Sequence, residues 1–383
     1  MPPAVAQTSA ATSYLPAFTG IRAVAAYMVF LHHFNPFQAE GSHPLFHYLL
    51  LEFHIGVPIF FVLSGFLITL RYAESIRWTS QWWKQYLRNR FARIYPMYFL
   101  LTCLSFAWSY HTEDTFDLVT WTTNILLLRG FFEAIIYSGI APGWTLTVEE
   151  CFYLLAPVIF WLIAHHRIRL WLMPFGLLAI GGALVLLLSP LEYYGLFANF
   201  KFMLLFTFFG RCVEFFAGIQ LALWYRRGRL RGYAIPGLLT SLGCLLIGVV
   251  LVGLVWIRGP YAYGQEHPFG VMFNNVALPG GITILFAGLL TERTWLRRLL
   301  SSALLQVLGK SSYIFYLIHF GVVAQFLQGY IPFENKWLSL LSVFLLLNLL
   351  AVALHYLVEQ PLNNLIRQQP TAFRQRLSSA QVS

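Results

Sequence analysis

The sequence predicts an all-α, polytopic membrane protein: a bundle of about ten transmembrane helices. Three observations carry that expectation. Of 383 residues, 58% are hydrophobic and 10% charged, whereas soluble domains carry roughly 25% charged residues. Long apolar runs recur along the whole chain, near the length of about 20 residues that spans a bilayer core. Most of the 25 Lys and Arg residues gather in alternate connecting segments, which is the asymmetry that orients membrane helices.

Residues 1–15 are an Ala/Ser/Thr/Pro-rich leader, expected to be disordered. They lack the basic start and compact apolar core of a signal peptide. Helices are expected at about 16–34, 52–70, 94–110, 146–164, 170–188, 203–224, 234–256, 270–290, 311–330 and 338–357. Residues 16–361 then form one membrane domain, and 362–383 a short polar tail on the cytoplasmic side. With both termini cytoplasmic, nineteen basic residues fall on inner segments, clustered at 71–93, 167–169, 226–231, 293–310 and 367–376. Only four, Arg129, Lys201, Arg258 and Lys336, fall outside. The positive-inside rule selects that orientation, and the net charge of +10 becomes a topology signal rather than a nucleic-acid surface. The outer loops at 35–51, 111–143 and 257–269 are rich in aromatic, Gly, acidic and His residues, a composition that suits a polar substrate or a plain loop. The four cysteines sit in apolar segments with no metal-ligand spacing and read as small buried hydrophobes. No internal repeat appears.

The first helix organises the rest. At about 100° per residue, Arg22 and His33 share one face and lie about 16 Å apart along the axis, while His32 points about 80° away. A charge and an imidazole on one stripe of a membrane helix are costly unless they face a polar interior. A neutral His33 is a natural general base for a hydroxyl; an inert, hydrogen-bonded histidine at a helix end is the competing reading.

Four further clusters stand out. In RNRFARIYP (88–96), Arg90 and Arg93 are three residues apart and can converge on a phosphate, with Arg88 beside them; an ordinary positive-inside cluster is the alternative. In WTLTVEECFYLLAP (144–157), Thr147 and Glu150 fit a capping box. Glu149 has no such task, shares a face with Tyr153, and is expected to orient the imidazole as a triad acid does. The alternative for Glu149 is a partner for the helix dipole. In GKSSYIFYLIHF (309–320), Ser312, Tyr316 and His319 share a stripe that can line the cavity, and His319 is a rival base. Arg211 and Glu214 are expected to neutralise each other at i,i+3.

These segments together resemble the integral-membrane acyltransferase 3 family. GIRAVAAYMVFLHHF is similar to its arginine, ten residues, histidine motif, and FFVLSGFLIT (60–69) to its second helix. Arg90-Phe-Ala-Arg93 is similar to its RxxR, and WTLTVEECFYLLAP to its WSLSVEExFYLLxP. GKSSYIFYLIH resembles its GxxSYxxYLxH, except that Ser311 stands where an apolar residue is commoner, and VEQP (358–361) resembles the end of its final helix. The resemblance implies transfer of an acyl group, commonly acetyl from acetyl-CoA, to hydroxyls of surface polysaccharide, lipopolysaccharide or other cell-envelope glycans and glycolipids. It implies His33 as catalytic histidine, Arg22 as its motif partner, and Arg90 and Arg93 as essential arginines. No metal is implied. Some members carry an appended SGNH hydrolase-like domain, for which this chain is expected to have no room. The expected partners are acyl-CoA, a carbohydrate or glycolipid acceptor and the inner-membrane bilayer; a homodimer stays open. The rival class is a glycolipid or small-molecule transporter or flippase, whose translocation path would use the same buried charges.

Overall fold

A computed structural model describes residues 14–113, 116–165, 168–230 and 235–367. Nearly all of the leader, the tail beyond 367, and the expected inner residues Arg167, Arg231, Arg374 and Arg376 lie outside them. The described residues are built of helices; one isolated bridge, Phe132 to Leu196, replaces any strand among them.

Helix α1 (Pro16–His33) begins on a proline, whose fixed φ and missing N–H suit the first helical turn. Helix α2 (Pro44–Leu51) falls in the expected outer loop and runs through a 3-10 turn into α3 (Gly56–Tyr72). Helix α4 (Ser80–Glu113) contains the basic run that was expected just ahead of a helix starting at 94. Arg, Gln and Lys are good helix formers, and α4 continues through Pro96. Helix α5 (Leu118–Ile125) is capped by the Asp117 carboxylate, which accepts from the Val119 and Thr120 amides. There follow α6 (Trp144–Ala164), α7 (Met173–Leu188), α8 (Phe200–Phe206) and α9 (Phe208–Arg226). The chain continues with α10 (Leu238–Ile257), α11 (Pro268–Met272), α12 (Leu278–Thr291) and α13 (Trp295–Leu300). It closes with α14 (Ala303–Ile318), α15 (Val322–Gly329), α16 (Lys336–Leu354) and α17 (Gln360–Arg367). Helix α17 packs on α4 and takes up the start of the expected polar tail.

Among the described residues seven stretches are long and apolar enough to cross a membrane, or eight if α14 and α15 are one bent span. The expected ten is therefore approximate. Arg22, His32 and His33 dilute α1, and polar residues dilute α4. Two expected spans are broken. The sixth splits at Thr207 between α8 and α9, where Asn275 donates to the Leu204 and Gly210 carbonyls at 2.8 and 3.1 Å. Backbone groups freed inside a membrane need such partners. The ninth bends by 89° between α14 and α15, at Gly321 with φ of +105°, a conformation glycine adopts readily.

Helix α1 packs between α3 and α14, and α3 lies along α9. The α3–α9 contact is backbone-close. A Cβ on Gly65 would sit 2.2 Å from the Phe215 carbonyl oxygen, and one on Gly218 would sit 2.1 Å from that of Val62. Small residues permit this approach where lipid supplies no hydrophobic drive between helices. Helix α6 packs in turn on α3 and α9.

Candidate active site

A cavity of about 1670 Å³ opens at the basic end of the bundle. Among the described residues eight basic side chains line it, including Arg22, Arg90, Arg93 and Lys310, against three carboxylates, Glu74, Glu292 and Glu359. The excess, eight minus three, leaves a formal +5. Such a funnel concentrates polyanions.

The three arginines of the expected motifs differ in what they are free to do. Arg22 has no hydrogen-bond or ion-pair partner among the described residues, and its Nε is buried. Arg90 donates to the Tyr72 hydroxyl at 3.3 Å and lies over the Tyr72 and Tyr153 rings, at 5.4 and 5.7 Å. Arg93 is paired with Glu359, Nη1 to Oε1 at 2.7 Å. The other Glu359 oxygen accepts from His355 Nδ1 at 2.7 Å. Arg88, expected beside Arg90, is not among the residues that line the cavity. Two residues are about 200° on a helix, so the two arginines face opposite ways.

In the same half a carboxylate is held by two hydroxyls. Glu149 Oε1 accepts from Ser64 Oγ at 2.8 Å and Oε2 from the Tyr153 hydroxyl at 3.0 Å. Gly56 packs on Ala25, so antiparallel α3 carries Ser64 about 12 Å deeper, toward the Arg22 end of α1. The shared face of Glu149 and Tyr153 is therefore as expected, but the bond from Glu149 to the imidazole is not made. Both carboxylate oxygens are occupied by hydroxyl donors at a different depth.

The capping box is also overturned. Helix α6 begins at Trp144 with Gly143 at the cap, because the 3-10 turn Ala141–Gly143 runs straight into it. Thr147 lies inside the helix and its Oγ1 accepts from the Gly130 amide at 3.1 Å. Glu150 makes no hydrogen bond among the described residues.

At the far end of α1, His33 Nδ1 lies 3.0 Å from His319 Nε2, and the Phe320 ring stacks on His33 at 4.4 Å. His32 faces elsewhere: its Nδ1 donates to the Leu51 carbonyl at 2.6 Å. Of the residues expected to line the cavity, Tyr153, Ser312, Tyr316 and His319, none lines the large one. Ser312 donates to the Gly309 carbonyl at 2.8 Å, and the Tyr316 hydroxyl lies 3.2 Å from Thr145 Oγ1. Arg211 and Glu214 form the expected pair, with Nη2 2.8 Å from Oε1.

Three features had no signal in the sequence pattern. Ser64 sits in an apolar run and gives no hint of Glu149. Glu359 looks like a helix end until Arg93 meets it. Arg129 is fully buried and held by Asn124 Oδ1 at 2.8 Å and by the carbonyls of Ser138 and Ile140, so it folds the loop between α5 and α6. Among the described residues no three metal-ligating side chains come together.

Residues 15–358 match the model of a family described as an acyltransferase domain. Acyltransferase MdmB of Streptomyces mycarofaciens is 28% identical over 411 residues, covering 97% of this chain and 96% of that protein. A protein of Staphylococcus aureus strain COL, provisionally named an O-acetyltransferase, is 23% identical over 349 residues, covering 83% of this chain and 53% of itself. O-acetyltransferase OatA of Staphylococcus aureus strain NCTC 8325 / PS 47 is 26% identical over 166 residues, which is 40% of this chain and 26% of that protein. The chain thus spans about half the length of the first staphylococcal relative. No solved structure matches.

Proposed function

The chain belongs to the acyltransferase family, and on that premise we propose that it moves an acyl group, acetyl in the first instance, from acyl-CoA to a hydroxyl of a carbohydrate or glycolipid acceptor. The observation that carries this reading is the unpaired guanidinium of Arg22 in a large basic cavity, on the same helix as His33 and about 16 Å from it. The donor enters from the basic end, which the positive-inside rule makes cytoplasmic in the cell's inner membrane. Arg22 and Arg90 receive its phosphates, since arginine's planar fork suits phosphate oxygens. The acyl end reaches along α1 toward His33.

At that end His33 takes the proton of the acceptor hydroxyl while the oxygen attacks the thioester carbonyl carbon. The C–S bond breaks and the sulfur leaves with CoA, protonated in turn by the imidazolium. His33 acts in turn as base and acid, and the oxyanion formed on attack requires stabilisation by nearby donors. Glu149, held by Ser64 and Tyr153, supplies negative charge on the Arg22 and Arg90 side. The transporter reading draws on the breaks at Thr207 and Gly321, which are unmatched in position; family membership favours transfer. The direct test is calorimetric titration of CoA into the purified protein in nanodiscs, followed by release of free thiol from acetyl-CoA. Tight CoA binding lost in Arg22→Ala supports the reading, and no CoA binding by the intact protein overturns it.

A further inference from the structure

We infer that His319 is a positioning residue that holds His33 in the one neutral tautomer able to act as a base at Nε2. The inference rests on the reading of His33 as the base.

It begins at the end of a helix. Helix α14 stops at Ile318 and the chain turns by 89° into α15. Carbonyls of a last helical turn lack their usual N–H partners. The Tyr316 carbonyl meets the His319 ring instead, with Nδ1 at 2.7 Å. A carbonyl only accepts, so His319 Nδ1 carries a hydrogen. In a neutral imidazole the other nitrogen is then bare, and His319 is wholly buried, where a neutral ring is favoured. Its Nε2 therefore accepts, and the atom 3.0 Å away is His33 Nδ1. His33 must donate through Nδ1, because two lone pairs facing each other at that distance repel. That assignment leaves His33 Nε2 bare.

The consequence is chemical. The bare Nε2 takes the hydroxyl proton as the new C–O bond forms and the C–S bond breaks, and the resulting imidazolium keeps its Nδ1–H bond to His319. A backbone carbonyl and a second imidazole thus do what a carboxylate does in a triad. The stacked Phe320 ring, 4.4 Å away and 17° from parallel, restricts rotation of the base. Glu149 is not needed for this task.

The test is nitrogen NMR of the full-length protein carrying 15N-histidine, with the His33 signals identified by their loss in His33→Ala. A bare Nε2 and protonated Nδ1 on His33 in the wild type is the expected result; a bare Nδ1 overturns the inference. Kinetics supply the second arm. His319→Leu cannot accept the bond and should lower kcat by about 100-fold or more at unchanged KM for acetyl-CoA, within the usual range for base catalysis. His319→Gln presents an amide oxygen to Nδ1–H and should retain activity to within about ten-fold. Equal loss in both well-folded variants overturns the inference. Should His319→Leu fail to fold, the wild-type spectrum alone decides. Full activity of His33→Ala instead sinks the reading of His33 as base while leaving the tautomer result standing.

Discussion

Arg93 and Glu359 stand 266 residues apart in the chain and 2.7 Å apart in the fold. The nearly buried carboxylate also takes a hydrogen bond from His355, so it fastens α4 to the end of the last long helix. One arginine of the RxxR pair is thereby largely neutralised by the protein itself, whereas Arg22 keeps its charge for a ligand. Two arginines lining one cavity have different jobs.

Arg93→Ala should therefore be a stability variant. Removing it leaves the nearly buried Glu359 with His355 as its remaining partner, at a cost below the roughly 3–5 kcal/mol of breaking a fully buried pair, because Arg93 is 27% exposed. Glu359→Gln combined with Arg93→Ala should recover part of that loss. Arg22→Ala breaks no hydrogen bond or ion pair among the described residues and should leave thermal unfolding in detergent unchanged while CoA affinity falls. Equal melting temperatures for Arg22→Ala and Arg93→Ala would refute the division.

His33→Ala is expected to lower acyl transfer by about 10²–10⁴-fold, the range for loss of a general base, with membrane insertion intact. His32→Ala should be much milder, because its ring is tied to the Leu51 carbonyl and lies off the His33–His319 axis. Rates of thiol release from acetyl-CoA in the two variants decide this, and comparable losses would count against His33 as the base.

Much of this site was readable from period and composition. The stripe of Arg22 and His33, and the pairing of Tyr153 with Glu149 four residues earlier, follow from helical geometry. What the pattern hid were contacts between distant segments and points where a helix departs from its ideal form. Ser64 looks like one small residue in an apolar run. The breaks at Thr207 and Gly321 interrupt runs whose hydropathy hardly changes. The threonine and glutamate of the capping box were present at the right spacing, but Gly143 took the cap because the preceding turn already pointed the chain into the helix. Spacing finds compatible local bonds; competition between them is settled by the neighbours.

The α3–α9 contact carries its own prediction. Gly218→Ala places a methyl group 2.1 Å from the Val62 carbonyl oxygen and 2.6 Å from the Phe66 amide. Both obstacles are backbone, so relief requires the helices to part. Overpacking of this kind costs about 1–3 kcal/mol, read as a lower melting temperature of Gly218→Ala. Gly176→Ala, with nothing within 4 Å of the new carbon, is the control and should melt like the wild type.

The two adjacent carboxylates of α6 should part company. Glu149 accepts from Ser64 and Tyr153, so Glu149→Leu strands two hydroxyl donors inside the bundle. Each stranded group costs about 1–3 kcal/mol, and the variant should unfold at a lower temperature and turn over slowly. Glu149→Gln keeps the shape, and the two hydroxyls can rotate to meet the amide, so most of the stability should return. Its turnover should stay depressed, because the charge that faces Arg22 and Arg90 is gone. Glu150 has no cap to lose, since Gly143 caps the helix, and Glu150→Gln should lie within about 0.5 kcal/mol of the wild type, as substitutions away from special contacts do. Thermal melts and thiol-release rates of all three variants in one detergent make the comparison. A marked loss of stability in Glu150→Gln would restore the capping box and move the start of α6 to Thr147.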